Sequence, residues 1–284
     1  MPERKRVLLS VLAHPDDESF GMGGTLALYA EQGVDVHLIC ATRGEAGEVG
    51  PEYLQKTNSI AELRESELRC AAAHLGLKDV HFLDYRDSGM TGSADNQHPN
   101  ALIMAPVEQA AAQVAHYIRE LKPQVVLTFD PIGGYRHPDH IHIHKAATLA
   151  FSLASDPDFE DGLPPHQIEK FYYHTISRRF LHLAVGILRL LGKDPAHWGK
   201  NGDIDLVSLA GEDFPIDARI EFRPVEARKI AASACHASQG GGSTNRGLVK
   251  WVFKIFMGRP HDIFMRVHPP SESGPLERDL FEGV

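Results

Sequence analysis

Short apolar runs alternate with amphipathic segments along the first half of the chain. The apolar runs have the length of strands and cover residues 7–13, 34–42, 80–83 and 125–129. The segments between them have helical periodicity and cover residues 24–32, 60–75 and 106–121. Strands that alternate with helices pair in parallel through right-handed crossovers. The pattern therefore predicts an α/β fold around a mostly parallel sheet.

The second half of the chain has a weaker pattern. It predicts helices over 177–191 and 225–236, a strand over 216–222 and a glycine-rich loop over 238–246, and it leaves the apolar pieces 251–257 and 263–267 unplaced. The helix 177–191 is apolar on more than one face, which is typical of core packing or of a contact in a homo-oligomer; a lid over an apolar group is the alternative.

The chain length is that of one large α/β domain, which we predict to span residues 1–284. The α/β core covers about 1–155, and a portion that forms the substrate cleft and lid covers about 156–268. The tail 269–284 is polar, and we expect it to be partly disordered.

Charge and hydropathy narrow the class of partner. The chain carries 29 basic and 38 acidic residues, a formal charge of −9, whereas nucleic-acid and anionic-membrane surfaces need a net basic face. No apolar run in the sequence approaches the ~20 residues of a membrane-spanning helix. The run 7–13 leads into a polar segment and not into a signal-peptide cleavage site. We therefore predict a cytoplasmic protein that binds a small molecule and neither nucleic acid nor membrane.

The cysteines support the same location. Cys40, Cys70 and Cys235 are odd in number and far apart in sequence. They have neither the pattern of a disulfide framework nor the spacing of a zinc knuckle. A reducing compartment is therefore expected.

Two predicted strand ends are unusually polar. The first strand leads into residues 14–18, and the fourth leads into residues 130–144. Ligands of parallel α/β sheets bind beyond the carboxyl ends of the strands. A binding site that uses both segments is therefore expected at this edge of the sheet.

Histidines and carboxylates in these segments have the spacing of metal ligands. His14 and Asp17 are three residues apart in a turn and can bind one ion, and a third ligand can come from the segment 137–140. If that segment begins a helix, His137, His140 and His144 share one face. A catalytic zinc ion uses three such ligands and keeps a position open to water.

Asp16 and Asp17 suggest a division of labour between neighbouring carboxylates. Two carboxylates that lie close together repel each other, and a cation that binds one of them relieves the repulsion. The other carboxylate can then accept a proton from the attacking water. Spacing alone does not say which aspartate has which role.

Two motifs together carry a family resemblance. Residues 13–18 (AHPDDE) and 133–140 (GGYRHPDH) closely resemble the LmbE/PIG-L family of zinc-dependent de-N-acetylases, and Arg64, residues 85–90 (YRDSGM) and residues 236–239 (HASQ) extend the likeness over most of the chain. The segment 85–90 is most similar to the branch that processes mycothiol- and bacillithiol-type glycosides. The resemblance implies a Rossmann-like three-layer fold with a metal site at the carboxyl ends of the first and fourth strands.

The resemblance also implies roles for individual residues. His14, Asp17 and His140 match ligands of zinc, a site that iron(II) can also occupy, and Asp16 matches the general base. The remaining catalytic matches are Tyr135, a mobile donor to the oxyanion; His137, an imidazolium that stabilises the oxyanion and protonates the amine; and Asp139, which orients His137 and tunes its pKa.

Substrate contacts are expected from Arg64 by the same resemblance, from Asp87 through a sugar hydroxyl, and from His236 in the cleft. Glu18 is expected to be a buried acceptor that holds the loop. Arg136 replaces a glycine of the family pattern, which bears on the mobility of Tyr135.

These matches predict zinc-dependent hydrolysis of the acetamide of an N-acetylglucosamine conjugate, with release of acetate and a free amino sugar. A competing hypothesis is a hydratase or lyase for a small carboxylic acid, which an arginine cluster formed by Arg43, Arg64, Arg86 and Arg136 would favour. A catalytically silent sugar- or metal-binding module is a third hypothesis, and the presence of both Asp16 and His137 counts against it.

Overall fold

The structure is a computed structural model that describes residues 4–199, 202, 204–242, 259–271 and 274–284. The strands of the described part are β1 Val7–Leu12, β2 Asp35–Thr42, β3 Asp79–Tyr85, β4 Val125–Phe129, β5 Lys170–His174, β6 Ala218–Glu221 and β7 His261–His268. The helices of that part are α1 Asp17–Phe20, α2 Gly23–Glu31, α3 Ile60–Leu75, α4 Val107–Leu121, α5 Gly133–Arg136, α6 Pro138–Ser155, α7 Arg178–Leu190, α8 Leu206–Leu209 and α9 Glu226–Cys235.

The described strands form one seven-stranded sheet in the order β3-β2-β1-β4-β5-β7-β6. The β3-β2-β1-β4-β5 part is parallel, and β7 pairs antiparallel with both β5 and β6. Helices α2, α3 and α9 pack together, and α4 packs on α6, as the outer layers of the three-layer fold. The prediction of a Rossmann-like, mostly parallel sheet is confirmed. The strand order reverses between β1 and β4, which is where parallel sheets bind their ligands.

Local signals account for the bounds of the best-predicted helix, α3. The Ser59 side chain caps its start by accepting a hydrogen bond from the backbone N–H of Glu62. Gly76 ends the helix in the left-handed conformation, with φ of 78°. The structure therefore has α3 at the predicted residues 60–75.

The second half departs from the pattern in several places. Strand β5 is absent from the sequence prediction, because a buried run of five residues is too short to show periodicity. The unplaced piece 263–267 lies within β7, whereas 251–257 and most of the glycine-rich loop lie outside the described residues.

The tail is docked where it is described, contrary to the expected disorder. Leu280 and Phe281 are buried, and Tyr29 of α2 packs against the Phe281 ring. Glu277 accepts hydrogen bonds from Lys170 and Tyr172 of β5. Short-range polarity does not reveal such long-range partners.

The expectation drawn from the cysteines is wrong. Cys70 of α3 and Cys235 of α9 form a disulfide across a sequence separation of 165, with Cα atoms 5.9 Å apart, while Cys40 is a buried free thiol. Sequence spacing carries no information about a bond between packed helices. The cysteines therefore no longer support a reducing compartment.

None of the helices in the described part of the chain is both long enough and apolar enough to span a bilayer.

Candidate active site

The polar strand ends meet at the switch point of the sheet. The chain leaves β1 through His14 and turns into α1, and it leaves β4 through the turn α5 into α6. The backbone N–H of Asp139 donates to the His137 ring, so His137 caps the start of α6 with Pro138 as its first residue. This cap brings His140, one turn further on, over the end of β1.

Three buried side chains form a compact donor set. His14 Nδ1 lies 3.1 Å from His140 Nε2, and His140 Nε2 lies 3.2 Å from Asp17 Oδ1. His14 Nδ1 lies 3.6 Å from Asp17 Oδ2. Two imidazole nitrogens and a carboxylate are the donors that a catalytic zinc or iron(II) ion takes, and these atoms converge on one point. The residues therefore fit a divalent ion.

Neighbouring groups fix the orientation of the two imidazoles. Gly133 O lies 3.1 Å from His140 Nδ1, and the Phe129 ring stacks on the His140 ring at 4.0 Å. The Asp139 carboxylate lies 3.1 Å from His14 Nε2. Such contacts to the far nitrogen of each ring are those that metal-binding histidines make.

The electrostatics of the donor set favour a positive charge at its centre. Burial lowers the pKa of His14, but Asp87, Asp139 and Asp17 outweigh burial and hold that pKa well above its ordinary value. Burial raises the pKa of Asp17, but His140 and His14 outweigh it and hold that pKa well below its ordinary range. A divalent cation supplies the charge that this arrangement stabilises.

Asp16 lies next to the donor set in an unusual backbone conformation. Its φ of 124° is rare for a residue with a side chain and has to be enforced by neighbouring groups. The backbone N–H of Asp16 donates to Glu18 Oε2 at 2.9 Å, and Arg64 Nη2 donates to Asp16 Oδ2 at 2.9 Å and to Pro15 O at 2.6 Å. Burial raises the pKa of Asp16 to about 6 against the opposing effect of Arg64, so this carboxylate is ionised at neutral pH.

Gly44 makes the position of Arg64 possible. A Cβ atom at Gly44 would lie 2.0 Å from Arg64 Nη1, and the backbone there has φ of 69°. The Gly44 carbonyl also accepts a hydrogen bond from Arg64 Nη1 at 3.1 Å. The Arg64 guanidinium group therefore donates three hydrogen bonds to protein acceptors, two of them at Pro15 and Asp16.

The surroundings of His137 favour its neutral ring over the imidazolium that the resemblance implies. Burial, together with the charges of His14 and His140, lowers the pKa of His137 to about 2. Its Nδ1 accepts the hydrogen bond from the Asp139 N–H, so the proton resides on Nε2. His137 lines the cavity as a neutral N–H donor.

The Asp139 side chain does not contact His137, contrary to the expected orienting role. One carboxylate oxygen accepts from the Ser88 hydroxyl, and the other accepts from the Ser88 backbone N–H and faces His14. Asp139 thus orients His14, a residue of the donor set, while only its backbone holds His137.

A cavity of about 360 Å³ opens over the cluster. Among the residues predicted for the site, His14, Asp16, Arg64, Asp87, Tyr135 and His137 line it. Further lining residues belong to loops whose convergence depends on the fold: Ala46, Gly47, Glu48, Gly89, Met90, Ser93, Ile204 and Gln239.

Asp87 lines the cavity, whereas His236 lies outside its lining. Asp87 Oδ1 lies 3.4 Å from His14 Nε2 at the cavity wall. The His236 side chain is fully buried outside the cavity lining, with Nε2 2.7 Å from Glu18 Oε1. This side chain has no solvent exposure, and its contact with Glu18 links residue 236 to the Asp16 turn. Glu18 is the buried acceptor that the sequence predicted.

The Tyr135 turn is joined to the segment that covers the site. Arg136, with φ of 69°, donates to Ser208 Oγ of α8 and to Glu212 Oε1, both at 2.7 Å. Tyr135 packs against the cluster formed where α7 meets α8. A second cavity of about 220 Å³ adjoins the first, and Tyr135 and Met90 line both.

We expect Arg136→Gly to raise KM about 3- to 10-fold with kcat changed less, because the variant loses two exposed hydrogen bonds that hold the turn against α8. Glycine adopts positive φ freely, so the variant adds no backbone strain. Steady-state kinetics with a two-part substrate measures the change. Arg69→Ala, which removes an exposed pair with Glu65 on α3, is the control; an unchanged KM for Arg136→Gly would show that the tether does not shape the site.

Fold and site together define the class of protein: an α/β enzyme whose buried His–Asp–His cluster fits a divalent cation beside a further aspartate, Asp16.

Comparison with known proteins narrows this class to a family. The model of the PIG-L family, described as GlcNAc-PI de-N-acetylase, matches residues 9–151. A Streptomyces avermitilis protein named 1D-myo-inositol 2-acetamido-2-deoxy-alpha-D-glucopyranoside deacetylase is 38% identical over 296 residues, which cover 100% of this chain and 98% of that protein. The chain belongs to the PIG-L family.

Solved structures share the fold at low sequence identity. N,N'-diacetylchitobiose deacetylase from Pyrococcus horikoshii matches with a TM-score of 0.63 and 19% identity over 95% of this chain and 88% of that one. GalB, the 4-carboxy-2-hydroxymuconate hydratase from Pseudomonas putida KT2440, matches with a TM-score of 0.62 and 21% identity over 95% and 99%. The fold therefore accommodates both chemistries and does not choose between them.

Proposed function

We propose that the protein hydrolyses the acetamide of an N-acetylglucosamine conjugate and releases acetate and a free amino sugar. The observation that carries this proposal is the full-length similarity to the Streptomyces avermitilis inositol-conjugate deacetylase. The geometry is compatible with it, because the donor set of His14, Asp17 and His140 adjoins the Asp16 carboxylate, which lines a cavity.

We propose zinc as the native ion, with iron(II) as the alternative, held by His14, Asp17 and His140. When bound, such an ion supplies a Lewis acid that polarises the acetamide carbonyl and makes water more acidic. Metal analysis of protein purified under aerobic and under anaerobic conditions would distinguish zinc from iron(II).

Asp16 is the general base of this proposal. Its carboxylate is ionised at neutral pH, and its pKa of about 6 lies near the operating pH, which favours a base that must also release its proton. Arg64 holds one carboxylate oxygen and leaves the other for the attacking water. The rigid, strained turn prevents Asp16 from rotating away.

Tyr135 and His137 are the oxyanion donors. Neutral His137 directs an Nε2–H into the cavity, and a fixed neutral donor stabilises an oxyanion without a preceding protonation step. The Tyr135 pKa is raised by burial, so its hydroxyl also keeps its proton. Both side chains line the cavity on the side of the α5 turn.

The adjoining cavity has polar side chains that suit the aglycone of the conjugate. The main cavity is within the ~300–1,000 Å³ range of small-molecule sites. Thr91, Arg136 and Asp205 line the second cavity and offer partners to hydroxyl groups. We propose that it receives a polyol aglycone such as a cyclitol, with Asp87 and Arg64 at the sugar.

The hydratase hypothesis depended on an arginine cluster, and the geometry does not favour it. Arg43 pairs with Glu65 and Asp84, and Arg86 pairs with Asp95. Among the described residues, Arg64 is the arginine that lines the main cavity, so the cavity has one arginine and not the cluster that the hydratase hypothesis needs.

Acetate release from a panel of substrates tests the proposal. We expect metal-loaded protein, but not a chelated control, to release acetate. The value of kcat/KM should be highest for an N-acetylglucosaminyl cyclitol, lower for a conjugate with an apolar aglycone and lowest for free N-acetylglucosamine. Absence of acetate with metal bound, together with hydration of an unsaturated dicarboxylate, would favour the hydratase.

Cytoplasmic location and homo-oligomer formation stay predictions. The net charge of −9 supports a small-molecule partner over nucleic acid.

A further inference from the structure

The disulfide between Cys70 and Cys235 lies at the junction of two helices that support the Asp16 turn. Cys70 belongs to α3, which carries Arg64, and Cys235 is the last residue of α9. Cys70 is exposed and Cys235 is half-buried, so small thiols can reach the bond. A cross-link between distant segments restrains their relative position wherever weaker contacts alone would let them separate.

The chain that follows the cross-link leads directly to the active site. His236 is the next residue and forms the buried pair with Glu18, which in turn holds the Asp16 backbone. Ser238 donates from its N–H and its hydroxyl to Glu67 of α3, and Gln239 lines the cavity. Displacement of the α9 end therefore reaches the cavity wall within four residues of Cys235.

The body of α9 is held by contacts that do not depend on the disulfide. Lys229 donates to Gly21 O and to Asp262, and Arg228 pairs with Glu31. These contacts lie in the first half of the helix. Loss of the cross-link is therefore expected to loosen the end of α9 and residues 236–239 while the helix stays docked.

His74 provides chemistry for opening and closing the bond. It follows Cys70 by one helical turn, and its ring nitrogen lies within 4.8 Å of both sulfur atoms. An imidazole beside a thiol favours the thiolate, which is both the attacking and the leaving form in thiol–disulfide exchange.

We propose that Cys70 and Cys235 form a reversible redox-modification site that controls substrate affinity through the position of residues 236–239. The proposal rests on the deacetylase function proposed above for its kinetic consequence. In reduction, a thiolate of a low-molecular-weight dithiol attacks one sulfur to form a mixed disulfide, and its second thiol displaces the protein sulfur. Two electrons and two protons pass to the cysteines, and the dithiol becomes a cyclic disulfide; a low-molecular-weight disulfide reverses the reaction.

The test compares oxidised and reduced full-length protein with the metal in place. Maleimide labelling under denaturing conditions counts free thiols in each state. We expect one free thiol after oxidation and three after reduction. We expect KM to be about 3- to 10-fold higher in the reduced state and kcat to stay within about twofold. Loss of an ordered contact at a cavity wall gives a change in KM of this size. Reoxidation is expected to restore KM.

Matched variants separate the site from a general effect of reductant. Cys235→Ser and Cys70→Ser are expected to have the high KM in both states and no redox response. Cys40→Ala, which removes the buried free thiol, is expected to keep the full response. His74→Asn is expected to slow reduction of the bond without changing KM in the oxidised state.

A structural readout keeps this proposal separate from the proposed function. Hydrogen exchange of residues 236–239, measured by mass spectrometry, should be faster in the reduced state even if no deacetylase substrate is found. Equal exchange and equal KM in the two states, with thiol counts confirming complete conversion, would overturn the proposal. Tight Co²⁺ binding by the reduced thiols would also overturn it and assign Cys70, His74 and Cys235 to a metal site.

Discussion

Asp16→Asn is expected to lower kcat by about 10²- to 10⁴-fold and to leave the bound metal unchanged, because general-base catalysis contributes a factor of this size. The amide cannot accept a proton from water, yet it has the shape of the carboxylate. Asparagine also tolerates positive φ and can still accept the hydrogen bond from Arg64. The variant therefore removes the base with little disturbance of the turn.

Turnover and metal content have to be measured on the same preparation of Asp16→Asn. Asp213→Asn is the control, since it neutralises an exposed aspartate that pairs with Arg178 on the surface. Metal loss in Asp16→Asn would mean that this aspartate contributes to the donor set. If Asp16→Asn keeps its metal and more than about a tenth of wild-type turnover, another carboxylate is the general base. Asp87 is the next candidate, because it also lines the cavity.

His236→Ala is expected to lower the free energy of unfolding by about 3–5 kcal/mol, because it removes the cationic partner of a carboxylate that stays buried. Both side chains of this pair are fully buried, and they are 2.7 Å apart. Glu18 also accepts from the Asp16 N–H and the Ser19 hydroxyl, so its displacement would disturb the catalytic turn. Chemical denaturation with the disulfide intact measures the loss, and turnover is expected to fall with it.

A surface pair provides the matched control for His236→Ala. His197 and Asp194 are 2.8 Å apart but exposed, so His197→Ala should leave stability nearly unchanged. A similar small effect for His236→Ala would show that the buried pair does not hold the loop.

The same pair gives stability a defined dependence on pH. Burial lowers the pKa of His236, but the charge and hydrogen bond of Glu18 outweigh burial and raise that pKa above its ordinary value. A raised pKa means that the folded state binds the proton more tightly than the unfolded state. The contribution of this histidine is therefore complete below its unfolded pKa of about 6.5 and is lost as pH rises through the folded value. His236→Ala should lack this part of the pH profile.

The arginines show where sequence reasoning about the site ended. The sequence offered Arg43, Arg64, Arg86 and Arg136 as one candidate cluster, yet each has a different partner in the fold. Arg64 reaches Asp16 only because Gly44 leaves room for its guanidinium group. The protonation state of His137 likewise depends on its surroundings, since burial and two neighbouring imidazoles lower its pKa and favour the neutral ring.

The sequence by itself determined the parallel sheet and pointed to a metal site at its edge, whereas the particular donor set of His14, Asp17 and His140 came from the family resemblance. Apolar strand runs, helical periodicity and caps act over a few residues, and His14 and Asp17 lie within one turn, so both features are local. The ends of parallel strands share an edge, which predicted that the segment 137–140 would supply a third ligand at the same point. Only the tertiary structure decided the Cys70–Cys235 bond and the burial of His236 against Glu18. Those contacts join segments 165 and 218 residues apart, and they depend on how packed helices align, which no short-range pattern encodes.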